Sequence, residues 1–322
     1  MAHELEILTN GNASMFYVGE APWHRLGTKL NNSPSIREAI VAAGLDWAVK
    51  MRPLFTDRGE AVPAKATYRE TDNRILGVVG PEYKVLQNTE AFDFFEPLVD
   101  SKLVSLETAG SLRDGRKVWV LARVNNVQSD IVSGDCVEAY VLLSNSHDGT
   151  IAVRVGFTPV RVVCNNTLSM AIDNASSKLI RLKHRGDVVG SLERVREIMN
   201  LATQNFEATV EQYKALASRQ INQADLEKYI KIVFQTKATE HSENAGDRVY
   251  NKISPLFEGG RGNGQVGVKG TMWAAYNAIT EYLQHERGRD ELVRLDSAWF
   301  GQSASLNKKA LEVAVDMIKD AA

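Results

Sequence analysis

The sequence predicts an α+β fold, with a mostly antiparallel sheet in the N-terminal half and a helical C-terminal half. Two patterns support this prediction. Up to about residue 185, short apolar runs rich in β-branched residues alternate with turn sequences, as in strands joined by hairpins. Beyond it, apolar residues recur every three or four positions, as on amphipathic helices. We therefore predict a β-rich α+β domain over residues 1–185 and a helical region over 186–322 that packs on it, or one continuous domain.

The N-terminal elements are short. Residues 1–30 contain glycines, asparagines and scattered aromatic side chains, which favours an ordered loop or short strands. A helix is predicted over 36–43, because Ser35 is a good N-cap, apolar residues follow at helical spacing and Gly44 ends the run. The alternating segment 45–49 then predicts a strand.

Hairpin and turn sequences organise the next part of the chain. Residues 66–69 and 75–79 predict two strands joined at Thr71-Asp72-Asn73. A helix is expected to begin at Thr89 and to direct its aromatic and aliphatic residues toward the core. A strand over 118–122 should follow the turn Arg113-Asp114-Gly115.

Two longer apolar runs predict the central strands of the sheet. Residues 137–143 are nearly all apolar, and 151–163 are rich in β-branched residues. The polar segment 145–149 joins them and ends in Asp148-Gly149, a pair that supports a tight turn with positive φ. Such runs are typical of well-buried strands.

The C-terminal half shows helical periodicity in several segments. The predicted helices are 192–216, 224–234, 271–285 and 306–318, and the glycine-rich stretch 259–264 predicts a flexible loop. The first of these helices carries a broad apolar stripe from Leu192 to Leu216. Because such a stripe must be buried on the sheet, on another helix or on another subunit, we expect a homo-oligomer.

Composition limits the classes of function. A net charge of -2 argues against a wholesale polyanion binder, which is usually basic overall, so any nucleic-acid surface must be a local patch. The two cysteines of 322 residues argue against a disulfide framework and favour a reducing compartment. The first residues do not resemble a secretion signal, and no stretch is long and apolar enough to span a membrane. We expect a soluble, cytoplasmic protein without a membrane contact or a cofactor.

The clearest electrostatic feature is a basic stretch between residues 151 and 185. It has six basic side chains against one acidic side chain, a local charge of +5. Such a stretch suits phosphate contact, and the alternative is a solvated linker. Since Arg154 and Arg161 are seven residues apart, they should lie on opposite faces of an undistorted strand. The candidate nucleic-acid-binding residues are Arg154, Arg161, Lys178, Arg181, Lys183, His184 and Arg185.

Catalytic candidates are weak and scattered. His147 beside Asp148 supplies at most two metal ligands, and a catalytic site normally needs three with an open position. A turn that caps its own backbone is the alternative interpretation. Glu281 and His285 share one face of a predicted helix and are the second candidate pair, with packing as the alternative. No complete catalytic set follows from these residues, and no metal site is predicted.

Five ordered motifs carry a resemblance to a known family: Ala21–Gly27, Tyr83–Asn88, Leu143–Gly149, Arg161–Leu168 and the segment from Gly270 to Tyr282. In these motifs the chain resembles the phage- and plasmid-borne family of domain of unknown function 932. The resemblance covers nearly the whole chain. The resemblance implies a protein of mobile genetic elements, often encoded near DNA-processing or anti-restriction genes, and no particular reaction.

The leading hypothesis is therefore a non-enzymatic nucleic-acid-binding protein that assists DNA recombination or single-strand handling. In this hypothesis the basic side chains contact phosphates, and Trp119 or Tyr140 stacks on bases where exposed. One alternative is a metal-assisted hydrolase of nucleotides or nucleic acid, in which His147 and Asp148 join His24 or His285 as ligands. Another is a host-directed inhibitor or structural protein that acts through a protein interface.

Overall fold

The computed structural model describes residues 5–8, 11–19, 26–151, 153–161, 166–167, 192–235, 243–288 and 294–319. Its strands are β1 Met15–Val18, β2 Thr28–Leu30, β3 Val49–Phe55, β4 Ala61–Arg69, β5 Ile75–Val79, β6 Val104–Leu112, β7 Lys117–Val132, β8 Asp135–Ser146, β9 Arg154–Arg161 and β10 Asn166–Thr167. Its helices are α1 Ile36–Ala42, α2 Asn88–Asp93, α3 Glu96–Asp100, α4 Leu192–Ser218, α5 Gln223–Phe234, α6 Glu243–Gly259, α7 Met272–Glu281, α8 Arg294–Phe300 and α9 Gln302–Lys319. A π-helical turn, Tyr282–Glu286, continues α7. The predicted α+β class is confirmed.

The described strands form two sheets. The larger has the order β10-β9-β8-β7-β6-β1-β2, and the smaller has the order β3-β4-β5. The larger sheet is mixed, because β1 runs antiparallel to β6 but parallel to β2. In the smaller sheet both pairs of strands are antiparallel.

The strand predicted over 45–49 is wrong, since the strand begins only at Val49. Leu45 instead lies just after α1, where its N–H donates to the carbonyl of Ile40 and closes the end of the helix. The side-chain amide of Asn88 then donates to the carbonyls of Leu45 and Trp47, at 3.1 and 3.3 Å. These bonds satisfy the backbone polar groups that a sheet would otherwise pair.

The chain divides into two compact units, each assembled from segments that are distant in sequence. The first comprises residues 1–125, 140–156 and 172–201. The second comprises residues 126–139, 157–171 and 202–322. The boundary predicted at residue 185 lies outside the described residues.

The first unit contains the N-terminal helix α1 and two turns that the sequence predicts. Ser35 and Glu38 form a reciprocal capping box at the start of α1, which satisfies two otherwise unpaired N–H groups. Asn73, in the turn between β4 and β5, has a φ of 58°. The turn at Arg113-Asp114-Gly115 has positive φ at all three residues. Both predicted turns are confirmed.

The second unit is built around aromatic residues of its helices. Trp273 and Tyr276 of α7 pack on Tyr213 of α4, with ring centroids 4.6 and 6.0 Å away. The hydroxyl of Tyr229 in α5 donates to the carbonyl of Ala310 in α9. The described part of the predicted apolar stripe is buried within the chain and therefore does not itself call for a second subunit: Ala202, Phe206, Val210, Tyr213 and Leu216.

Two of the described helices, α6 and α8, were not predicted from the sequence. Helix α6 carries Gly246 and, in its interior, Pro255, which sequence rules treat as helix breakers. Helix α8 has only seven residues. Within the described part of the chain, no helix is long and apolar enough to cross a membrane.

Candidate functional site

The basic stretch is only partly visible. Lys178, Arg181, Lys183, His184 and Arg185 lie outside the described residues, and so does His24.

The two described arginines of this stretch lie at the ends of β9. Arg154 is exposed and Arg161 is fully buried, as their odd spacing predicts for opposite faces. Trp119 is also buried, which removes it as a stacking surface, whereas Tyr140 is half-buried.

Arg161 forms a bidentate ion pair with Asp135. Its Nε lies 2.6 Å from Oδ1 and its Nη2 lies 2.7 Å from Oδ2, and neither side chain reaches solvent. The indole N–H of Trp273 donates to the same Oδ2 at 2.7 Å. The remaining N–H groups of the guanidinium reach the loop after α6, where Nη1 donates to the side chain of Asn263 and Nη2 to the carbonyl of Gly262. Arg161 therefore has no surface for a phosphate, and the structure corrects its assignment to the nucleic-acid contact.

His147 follows β8 and is fully buried. Its Nε2 lies 3.0 Å from Oδ1 of Asn88, and its ring meets Trp47 edge-on at 5.5 Å. Its carbonyl accepts the hydroxyl of Thr67 at 2.6 Å. Burial lowers the pKa of His147 to about 4; the charge of Asp148 opposes this shift, and the charge of Arg69 adds to it. The imidazole is therefore neutral near pH 7 and connects three elements of the first unit.

Asp148 caps its own turn. Its Oδ1 accepts the N–H and the hydroxyl of Thr150, at 2.9 and 2.6 Å. Gly149 follows with a φ of +74°. This is the self-capped turn that was the alternative to a catalytic interpretation.

Glu281 and His285, the second candidate pair, contribute to packing. The backbone N–H of Arg261 donates to Oε2 of Glu281 at 3.0 Å, which holds the loop after α6 against α7. Burial raises the pKa of Glu281. Burial, followed by the charges of Arg261 and Arg294, lowers the pKa of His285 to about 4. Over the described ranges, no group of three or more His, Cys, Asp or Glu side chains is placed to hold a metal ion.

One face of the β3-β4-β5 sheet is exposed and chemically mixed. We call it the open face. The strand register places Lys50, Tyr68 and Ile75 in one row, and Arg52, Ala66 and Val78 in the next. Lys50, Arg52, Ile75 and Val78 are exposed, Tyr68 is half-buried, and the small Ala66 between them is buried. An apolar and basic surface therefore covers three strands of the first unit.

The most specific contact on the open face joins Arg52 and Tyr68. The guanidinium carbon of Arg52 lies 5.0 Å from the centroid of the Tyr68 ring, a cation–π arrangement. Beside it, Lys50 forms an exposed ion pair with Glu70. Lys50 thus lies opposite Tyr68 in the sheet, and Arg52 lies one row away.

The opposite face of the same sheet is packed. A Cβ added to Gly77 would lie 2.5 Å from the Cα of Asp148, so the turn after β8 rests directly on this strand. Thr67 and Val79 on that face are buried. Because the inner face is fixed in this way, the open face is held toward solvent.

Sequence analysis missed the open face. Strand β3 contains Pro53, which argues against a strand, although β3 is an edge strand where proline is tolerated. The signal that could have found it is the alternation of Lys50, Arg52 and Leu54. The rows across β3, β4 and β5 depend on the strand register, which requires the structure.

Comparison with known proteins identifies the family of the chain. A family model described as domain of unknown function (DUF932) matches residues 75–310, which begin at β5 and end within α9. Strands β3 and β4 precede the matched segment. No curated protein and no solved structure matches the chain.

Proposed function

The chain belongs to the family of domain of unknown function 932, and we propose that it binds single-stranded nucleic acid on the open face of the β3-β4-β5 sheet. The observation that carries this proposal is the position of the Arg52 guanidinium over the Tyr68 ring on an exposed sheet surface. The proposal rests on this chemistry, because the family description names no activity.

The pair offers both interactions that a single strand needs. An aromatic ring stacks on a base with about 1–3 kcal/mol, without regard to base identity, and an arginine neutralises a phosphate. In the unbound protein Arg52 covers the ring. When a base stacks on Tyr68, the guanidinium of Arg52 moves to the adjacent phosphate. Lys50 then leaves Glu70 and binds a second phosphate.

The apolar part of the open face favours single strands over duplexes. Ile75 and Val78 are 41% and 60% exposed, and they extend the platform beside the ring. A single strand can place unstacked base faces and sugars on such a surface, whereas a duplex hides its base faces in the stack. Because the net charge of the protein is -2, we expect the nucleic acid to contact only this local patch.

The biological setting is a second part of the proposal. We infer a role in DNA recombination or single-strand handling by phages or plasmids, in the cytoplasm, with the basic segment 178–185 adding phosphate contacts. The positive charge of that segment supports this role.

Fluorescence anisotropy with labelled 20-nucleotide DNA and RNA strands, and with the matching duplex, tests the proposal at low salt. We expect single strands to bind more tightly than the duplex. Tyr68→Leu should weaken the binding about tenfold, since about 1.4 kcal/mol of stacking is lost. Arg58→Ala is the matched control, because Arg58 is an exposed arginine in the turn between β3 and β4. Absence of binding, or equal affinity of Tyr68→Leu and the unchanged protein, would contradict the proposal.

A further inference from the structure

Strand β7 extends beyond its partner β6. The pairing of the two strands runs from Leu112 opposite Lys117 to Val104 opposite Val124. One further bond joins the N–H of Asn125 to the carbonyl of Leu103. Residues 126–132 continue past this point to the turn that leads into β8. In the described sheet, no strand pairs with this segment on the β6 side.

Helix α4 stands opposite the exposed strand edge. A cavity of about 460 Å³ separates them, and it is lined by residues 126–129 of β7 and by one face of the helix. Phe206 and Val210 are buried and form the apolar floor of this groove, while Glu207 and Glu211 are exposed at its rim. All these residues belong to the second unit.

We propose that this groove binds an extended peptide of a partner protein, one that alternates basic and apolar residues, by addition of a strand to β7. An open strand edge presents backbone N–H and C=O groups that a peptide backbone can pair, and side-chain pockets then select the sequence. Asn126 has a φ of 63°, so the extended edge starts at Val127. Residues 127–132 then offer roughly 20 Å, which accommodates a peptide segment of four to six residues.

The helix defines the chemistry of the peptide. Apolar side chains on one face of the added strand meet Phe206 and Val210 on the floor. Long basic side chains of the other face reach the carboxylates of Glu207 and Glu211. Lys214 offsets only one of these charges, through its 3.1 Å contact with Glu211. Among the ion pairs of the described residues, none involves Glu207.

The same charges disfavour a second copy of this chain as the occupant. Two β7 edges related by a twofold axis would each bring an acidic α4 to the shared groove. Like charges placed together in an interface are repulsive, whereas a basic peptide is attracted. The groove is separate from the open face, so the two proposals can fail independently.

The test uses a labelled eight-residue peptide that alternates valine and lysine, with anisotropy as the measurement and the full chain as the receptor. A peptide that alternates valine and glutamate is the matched ligand control. We expect saturable binding of the lysine peptide and at least tenfold weaker binding of the glutamate peptide. Glu207→Lys should weaken the lysine peptide about fivefold, because it reverses one rim charge. Glu312→Lys, on the exposed surface of α9, should leave the binding unchanged.

Two backbone-methylated peptides distinguish strand addition from simple charge attraction. One carries N-methyl groups on the odd residues and the other on the even residues. A strand offers only alternate N–H groups to its neighbour, so one version should lose at least tenfold in affinity while the other binds like the parent. Equal binding of both versions, equal binding of the glutamate peptide, or no saturation up to about 1 mM would overturn the proposal. If the protein is a dimer and Glu207→Lys dissociates it, the groove binds a second copy of the chain, and the peptide proposal is overturned as well.

Discussion

Arg161 and Asp135 form a fully buried bidentate ion pair, although they are 26 residues apart in sequence. The pair, together with Trp273 and the loop after α6, forms a fixed junction in the second unit. Its two charges compensate each other only while both are present. A buried charge that loses its partner is strongly destabilising, because its own desolvation is no longer offset.

We therefore expect Asp135→Ala to lower the free energy of unfolding by about 3–5 kcal/mol. The double variant Asp135→Leu with Arg161→Met should be more stable than Asp135→Ala, since it leaves no unpaired charge in the core. Urea unfolding followed by circular dichroism measures both. Glu227→Ala breaks the exposed pair with Lys231 and is the control, with an expected change below about 1 kcal/mol. A similarly small change for Asp135→Ala would refute the structural role of the pair.

Protonation of His147 should destabilise the protein. Its pKa is about 4 in the folded chain against 6.5 for the free side chain, so folding favours the neutral imidazole. The resulting stability is fully present above pH 6.5 and is lost as the pH falls toward 4. From pH 7 to pH 5 the loss from this one group is about 2 kcal/mol.

Urea unfolding at pH 7, 6 and 5 checks this pH dependence. His147→Gln retains an amide that can reach Asn88, and it should reduce the loss of stability across this range. His285 also has a pKa of about 4 and titrates in the same direction, so the slope should decrease further when His285→Gln is added. An unchanged slope in His147→Gln would show that His147 is not the titrating group.

Gly149→Val should destabilise the turn after β8. Gly149 has a φ of +74°, and its added Cβ would lie 3.4 Å from Cγ1 of Val79. A β-branched residue at positive φ is strained by about 1–3 kcal/mol. Thermal unfolding should show a lower midpoint. Gly156→Val is the matched control, because no heavy atom lies within 4 Å of its Cβ position and β9 is extended there; equal midpoints for the two variants would contradict the prediction.

Homo-oligomer formation stays a prediction. The described part of the apolar stripe that suggested it, from Ala202 to Leu216, is buried within the chain and is not available for association. Light scattering behind a sizing column, at two protein concentrations and without nucleic acid, measures the mass. A constant mass near 35.6 kDa at both concentrations would show that the chain is a monomer.

Local sequence signals predicted the turns and the strand faces well. Asp148-Gly149 and Arg113-Asp114-Gly115 identify their turns through residues that tolerate positive φ, and the seven-residue spacing of Arg154 and Arg161 gives their opposite faces. Asp135 could not be identified as the partner of Arg161, because a distant buried pair leaves no local pattern. The open face was missed for the same reason. The contact between Arg52 and Tyr68 exists only because β3 and β4 pair in one particular register.

The salt dependence of nucleic-acid binding provides the most direct count of the phosphate contacts on the open face. Each phosphate neutralised on a single strand contributes about -0.7 to the slope of log K against log salt concentration. Arg52→Ala should therefore make the measured slope shallower by about 0.7, in addition to lowering the affinity. Glu70→Gln should raise the affinity at low salt, because it releases Lys50 from its ion pair and leaves that side chain available for a phosphate. Anisotropy titrations at four salt concentrations measure both slopes, with Arg58→Ala as the control. If Arg52→Ala weakens binding but leaves the slope unchanged, Arg52 contributes through the Tyr68 ring and not through a phosphate.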